Sequence, residues 1–272
     1  MSEPGPMLRR LPLRRVISGA FTLPWEHRGS VFRATAAPLL ALIACTLAWD
    51  LSSFYISGIG RVVLLLIFYL PTLIAMSWLA VTVHRLVLLE APDAAMHFDL
   101  GFIRRVSTFA AVLFGIWVLF SGLTLLITSG VLNIFNPSRY VETSVEPGPV
   151  PQPMDLPVPF EWITSIARIL AYWFVARVSL MLPAIAIDRK ADLGAAWQAS
   201  RRNGWRLAIV VGALPWCLQA LVNLLYRDGA STIEFALLVV LGTMLIIFEV
   251  TALSLSYWEL TPPAPPPTDP PA

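Results

Sequence analysis

Charge is scarce in this chain. Of its 272 residues only 13% are charged, while 57% are hydrophobic. An ordinary soluble domain is about 25% charged and about 45–50% apolar. Such a composition excludes a disordered chain. The 19 basic residues face 17 acidic ones, which leaves no basic excess for a nucleic-acid surface. Cysteine is limited to Cys45 and Cys217. They form no CxxC, so a disulfide scaffold and a thiolate metal site are excluded. Histidine is limited to His27, His84 and His97. There is no HExxH, no GxSxG and no GxxxxGK[ST], so neither a metal nor a cofactor is expected. Lysine is almost missing, Lys190 standing beside 18 arginines. No clean secretory leader is visible, because Ser18, Gly19, Thr22 and Pro24 interrupt the apolar patch between Arg15 and Glu26.

What the chain has instead is long apolar runs. Spanning a hydrocarbon core of about 30 Å takes about 20 helical residues. Six segments are long enough, at 34–56, 62–89, 106–130, 161–187, 207–225 and 232–258. In lipid a backbone must satisfy its own hydrogen bonds, so these runs are expected to be helices. The expected fold is all-α, a bundle of six transmembrane helices across 34–260. A basic arm at 1–33 precedes it, and a Pro-rich tail at 261–272 follows it. A Pro-rich, acidic connection is expected at about 131–160, with Glu142, Glu146 and Asp155.

The basic residues set the orientation. Arg9, Arg10, Arg14, Arg15, Arg28 and Arg33, then Arg85, Arg104 and Arg105, then Arg189, Lys190, Arg201, Arg202 and Arg206 fall on one side. Only Arg61, Arg139 and Arg227 fall on the other. Both termini are therefore expected on the cytoplasmic side.

The connection at about 190–206 has a pattern of its own. Asp192 suits a helix start and Asn203-Gly204 a stop. Leu193, Ala196, Trp197, Ser200 and Gly204 share one face, and Gln198, Arg201 and Arg202 lie towards the other. That is the pattern of a basic amphipathic helix on the membrane surface. Lys190, Trp197, Arg201, Arg202 and Arg206 are its candidate contacts to anionic lipid.

An ionisable group inside a membrane usually faces a partner or a cavity. Counted along their helices, Arg177 and Glu249 lie at similar depth, which makes them a candidate ion pair. Asp50, Thr124, Arg168 and Gln219 form a second layer, about 10 Å from the outer ends of their helices. Tyr172 and Asn223 lie one turn from Arg168 and Gln219. Together these six would line a polar vestibule open to the periplasm. Arg168 and Arg177 are nine residues apart, on opposite sides of one helix.

Phe21-Thr22-Leu23-Pro24-Trp25, His84-Arg85-Leu86-Val87-Leu88-Leu89-Glu90 and Arg177-Val178-Ser179-Leu180-Met181-Leu182-Pro183 are three landmarks, and Ala195-Ala196-Trp197 with Asn203-Gly204-Trp205-Arg206 is a fourth. The set resembles an uncharacterised group of six-helix proteobacterial inner-membrane proteins. The second landmark is distantly similar to the membrane domain found beside bacterial glycerophosphodiester phosphodiesterases. That resemblance implies a multi-pass membrane fold and carries no activity, because no phosphodiesterase catalytic domain is present. The expectation is a non-enzymatic membrane protein that binds lipid or a partner membrane protein. The alternative is a small transporter or channel built on the vestibule.

Overall fold

The computed structural model describes residues 10–55, 59–89, 99–134, 160–224 and 232–261. Among these there is no strand, and six helices are long and apolar enough to cross a membrane. The spans are Arg28–Ala48, Ile67–Leu89, Leu100–Gly130, Ser165–Ala186, Gly204–Val222 and Leu237–Leu260. The chain is a multi-pass, all-α membrane protein. Arg15 pairs with Glu259 at 3.4 Å, so the described N-terminal residues and the end of the last helix share one end of the bundle, called here the near face. The Pro-rich stretches expected at 137–159 and 262–272 lie outside the described residues.

The bundle begins with a short helix, α1 (Leu13–Glu26). Its apolar residues recur at Leu13, Val16, Ile17 and Ala20, the spacing of one helical face. Val16 and Ala20 are buried, while Arg14 and Arg15 face outward. The first span follows at once in α2 (Arg28–Tyr55). It starts at Arg28, six residues before the segment expected at 34–56.

α2 pairs with α3 (Ile59–Leu89), and α4 (Leu100–Ile134) pairs with α5 (Phe160–Val178). α3 is central, touching α2, α4, a short helix α6 (Met181–Ala186) and the last helix, α10 (Thr232–Leu260). α1 packs along α10. There Phe21 meets Phe248 at 4.2 Å between ring centroids, and Leu255 closes on Gly19. The glycine that interrupts the apolar patch in the sequence is thus the point where the two helices come together.

Two breaks follow from proline chemistry. α5 and α6 are parted by a turn at Ser179–Leu180, four residues ahead of Pro183. The Pro183 ring would crowd the carbonyl of residue 179 in an unbroken helix. The fifth span is α8 (Gly204–Leu207), a π-helical turn at Ala208–Ala213 and α9 (Leu214–Leu224). Pro215 has no N–H to offer residue 211, and the helix widens just before it.

Among the described residues the core holds the helices together across the near half. Leu79, Val83, His84, Phe109, Leu180, Leu207 and Val210 are its largest fully buried side chains, together with Leu11 and Val16 of the N-terminal segment. All lie in the half of the bundle nearer the chain ends. The far half holds a cavity of about 400 Å³ between α2, α3, α9 and α10.

Candidate functional site

The near face is organised around Arg177. Its guanidinium carbon sits 4.0 Å from the Trp173 ring and 4.4 Å from the Trp197 ring. The two indoles stand at 89° to each other, so the cation occupies an aromatic corner. Trp173 is there because residues four apart share a helix face. Trp197 arrives on α7 (Leu193–Ala199), whose start is capped by Asp192 accepting the Gly194 N–H at 3.2 Å. Trp205 adds a third indole, 6.2 Å from Trp173. Arg177 is only 9% exposed, and its Nε has no hydrogen-bond partner. Contacts of this kind stabilise a cation by roughly 0.5–2 kcal/mol each, but they provide no acceptor for its N–H groups.

The ion pair expected between Arg177 and Glu249 does not form among the described residues. Arg177 turns towards α7 and α8, whereas Glu249 on α10 lines the far cavity. Counting residues fixes the height of a side chain in the membrane but not its direction around the helix axis.

The other candidate lipid contacts divide. Lys190, Arg201 and Arg202 are exposed. Trp197 is 38% exposed, with Phe174 beside it at 6.2 Å. Arg206 differs from the expectation. Its Nη1 donates to the Leu11 carbonyl at 2.6 Å, so it holds the N-terminal segment instead of facing lipid. The Leu11 N–H in turn donates to Asn203 Oδ1 at 2.9 Å. The stop expected at Asn203-Gly204 also falls earlier. α7 ends at Ala199, and the left-handed residue is Arg202, with φ 73°.

The expected polar layer is not gathered in one place. The side chains of Asp50 and Asn223 lie outside the described residues. Thr124 is on α4 with its hydroxyl buried and unpartnered. Arg168 is exposed. Tyr172 packs on Phe120 at 4.8 Å and lies against Gly212, in the π-helical turn. Only Gln219 lines the far cavity, where it joins Glu249, Thr46, Thr72 and Thr243. The three threonine hydroxyls donate to carbonyls of their own helices, at 2.9, 2.7 and 2.6 Å. Glu249 is the charged side chain among the described residues of the lining.

Two clusters had no signal in the sequence beyond isolated polar residues. His84 is fully buried, with Nδ1 2.6 Å from Ser254 Oγ. The serine hydroxyl already donates to the Val250 carbonyl at 2.8 Å, so the imidazole N–H must be the donor of the pair. Beside it, Asp188 binds Arg105 at 3.0 Å and Arg85 at 3.5 Å. Arg105 also reaches Asp99 at 3.4 Å. This network ties α3, α4 and the turn after α6 together. Counted only as near-side charges, Arg85 and Arg105 gave no hint of a shared carboxylate 83 residues from Arg105.

Comparison with family models, with curated proteins and with solved structures returned no match. Fold and composition define the class: a multi-pass integral membrane protein of six spans.

Proposed function

We propose that this protein sits in a bacterial inner membrane with both termini in the cytoplasm, and that it acts without catalysis by binding anionic phospholipid at that face. One observation carries the reading: the nearly buried Arg177 guanidinium, set between two indoles, with no protein acceptor for its Nε. An anionic headgroup at the edge of the guanidinium would supply the counter-charge that no carboxylate among the described residues provides. Exposed Lys190, Arg201 and Arg202, on either side of α7, add positive charge to the same connection, and Trp197 and Trp205 suit the headgroup level. The basic asymmetry of the connections supports the orientation. The resemblance to the six-helix proteobacterial group, and more distantly to the membrane domain beside glycerophosphodiester phosphodiesterases, supports the same placement. Native mass spectrometry of protein released from its own membrane in minimal detergent tests the reading. The expected result is a retained anionic lipid, lost in Arg177→Ala and reduced when Arg201 and Arg202 are neutralised. Bare protein, or lipid retention indifferent to Arg177, would overturn it. A retained second polypeptide would instead make the protein an accessory subunit of a partner in the membrane.

A second reading, a small transporter or channel, is favoured by the far cavity. Its lining differs from the vestibule expected from the sequence, keeping Gln219 and adding Glu249.

A further inference from the structure

The far cavity carries a chemical preference. Its walls are mostly apolar, with Leu42, Met76, Val222 and Ile246 among them. Its volume of about 400 Å³ falls in the usual range for small-molecule sites, about 300–1,000 Å³. Glu249 lies twelve residues along the span from Leu237, roughly 18 Å deep at the helical rise. No basic side chain among the described residues pairs with it. From α9, Gln219 Oε1 reaches towards α10, 3.9 Å from where a Cβ on Gly242 would stand. α2, α3, α9 and α10 all contribute to its lining.

An unpaired carboxyl group in an apolar setting either keeps its proton or finds a cation, and an arriving cation favours the ionised form. An anion would gain nothing here but repulsion, and a neutral molecule would gain no charge pairing. We infer that this cavity is a binding site for an organic monocation, an ammonium group on a small apolar body. The ammonium pairs with Glu249 and the body lies against Met76, Val222 and Ile246. Gln219 is the specificity contact, because its amide oxygen can accept an N–H that an aliphatic group of the same size lacks. The inference rests on the second reading only in treating the cavity as a ligand site. A failed flux assay would remove transport and leave the site, whereas a failed binding assay would remove the site.

The test places the full chain in nanodiscs of phosphatidylcholine, with empty nanodiscs as reference. Binding is followed by saturation-transfer difference NMR. Three probes share one shape: 2-phenylethylamine is a cation, 2-phenylethanol is neutral and 3-phenylpropionate is an anion. The amine is expected to bind about tenfold more tightly than the alcohol, the factor that ~1.4 kcal/mol of interaction supplies. The acid is expected not to bind. Glu249→Gln should bring the amine down to the level of the alcohol while thermal unfolding stays at or above wild type. Gly242→Leu should block amine and alcohol alike by filling the cavity from its α10 wall. Equal binding of amine and alcohol to the wild-type protein would overturn the inference, whether or not Glu249→Gln folds. So would amine binding that survives Gly242→Leu.

Discussion

Gly204 lies where Arg177 needs the space. A Cβ at residue 204 would stand 2.6 Å from one terminal nitrogen of Arg177, 2.8 Å from its Nε and 2.8 Å from the indole nitrogen of Trp173. No rotation of the Arg177 tip escapes this, because the Trp173 and Trp197 rings hold the guanidinium. Gly204→Ala should therefore lower stability by about 1–3 kcal/mol, the usual scale for overpacking. Gly115→Ala, on a helix face with open space around it, is the matched control. Thermal unfolding of both in one detergent checks the difference.

The N-terminal segment is held at Leu11 from two directions. Asn203 accepts its N–H and Arg206 donates to its carbonyl. Asn203→Ala strands a buried N–H, which costs about 1–3 kcal/mol. The loss should be local. Hydrogen exchange is expected to rise across α1 and the turn at residues 200–203, with α3 unchanged. Equal loss of protection throughout the bundle would show that α1 does not come away on its own.

Asp188 has φ 58°, a left-handed conformation that asparagine also tolerates. Asp188→Asn thus keeps the backbone and removes only the charge. Arg85 and Arg105 would then face each other without their shared carboxylate, with 11% and 17% of their side chains exposed. A destabilisation of about 1–3 kcal/mol is expected. Because Asp188 itself is 59% exposed, added salt should narrow the gap to wild type. Unfolding midpoints at low and high sodium chloride give the comparison.

The His84–Ser254 bond should show the asymmetry between breaking a buried hydrogen bond and removing it whole. Ser254→Ala leaves the imidazole N–H without an acceptor and should cost about 1–3 kcal/mol. On a His84→Leu background the same change should be close to neutral, since the donor is gone. A double-mutant cycle on thermal unfolding reads the coupling directly. Equal effects in both backgrounds would place the energetics elsewhere, in packing against Phe109.

How much of this could be read in advance depended on which physical quantity each feature used. The six spans were legible because apolar length alone decides them. The Asp192 cap was legible because its signal is local. The docking of α1 was not, since it depends on Leu255 entering at Gly19 from a helix more than two hundred residues later. Arg177 was legible as an oddity, a charge inside a span. Its partners were not, because its nearest groups are aromatic rings, and cation–π contact leaves no charge complement in a sequence. Glu249 was visible for the same reason, and depth counting attached it to the wrong residue. Gln219 was expected in a polar layer, but the layer could not reveal which residues turn inward.

The near-face contacts join the two described ends of the molecule. Asn203 and Arg206 hold Leu11, and Arg15 pairs with Glu259 at 3.4 Å. α10 has 29 residues, a rod of roughly 43 Å at the helical rise. α1 packs along it, so the first helix and the last form one strut, and a pull on either is shared by both.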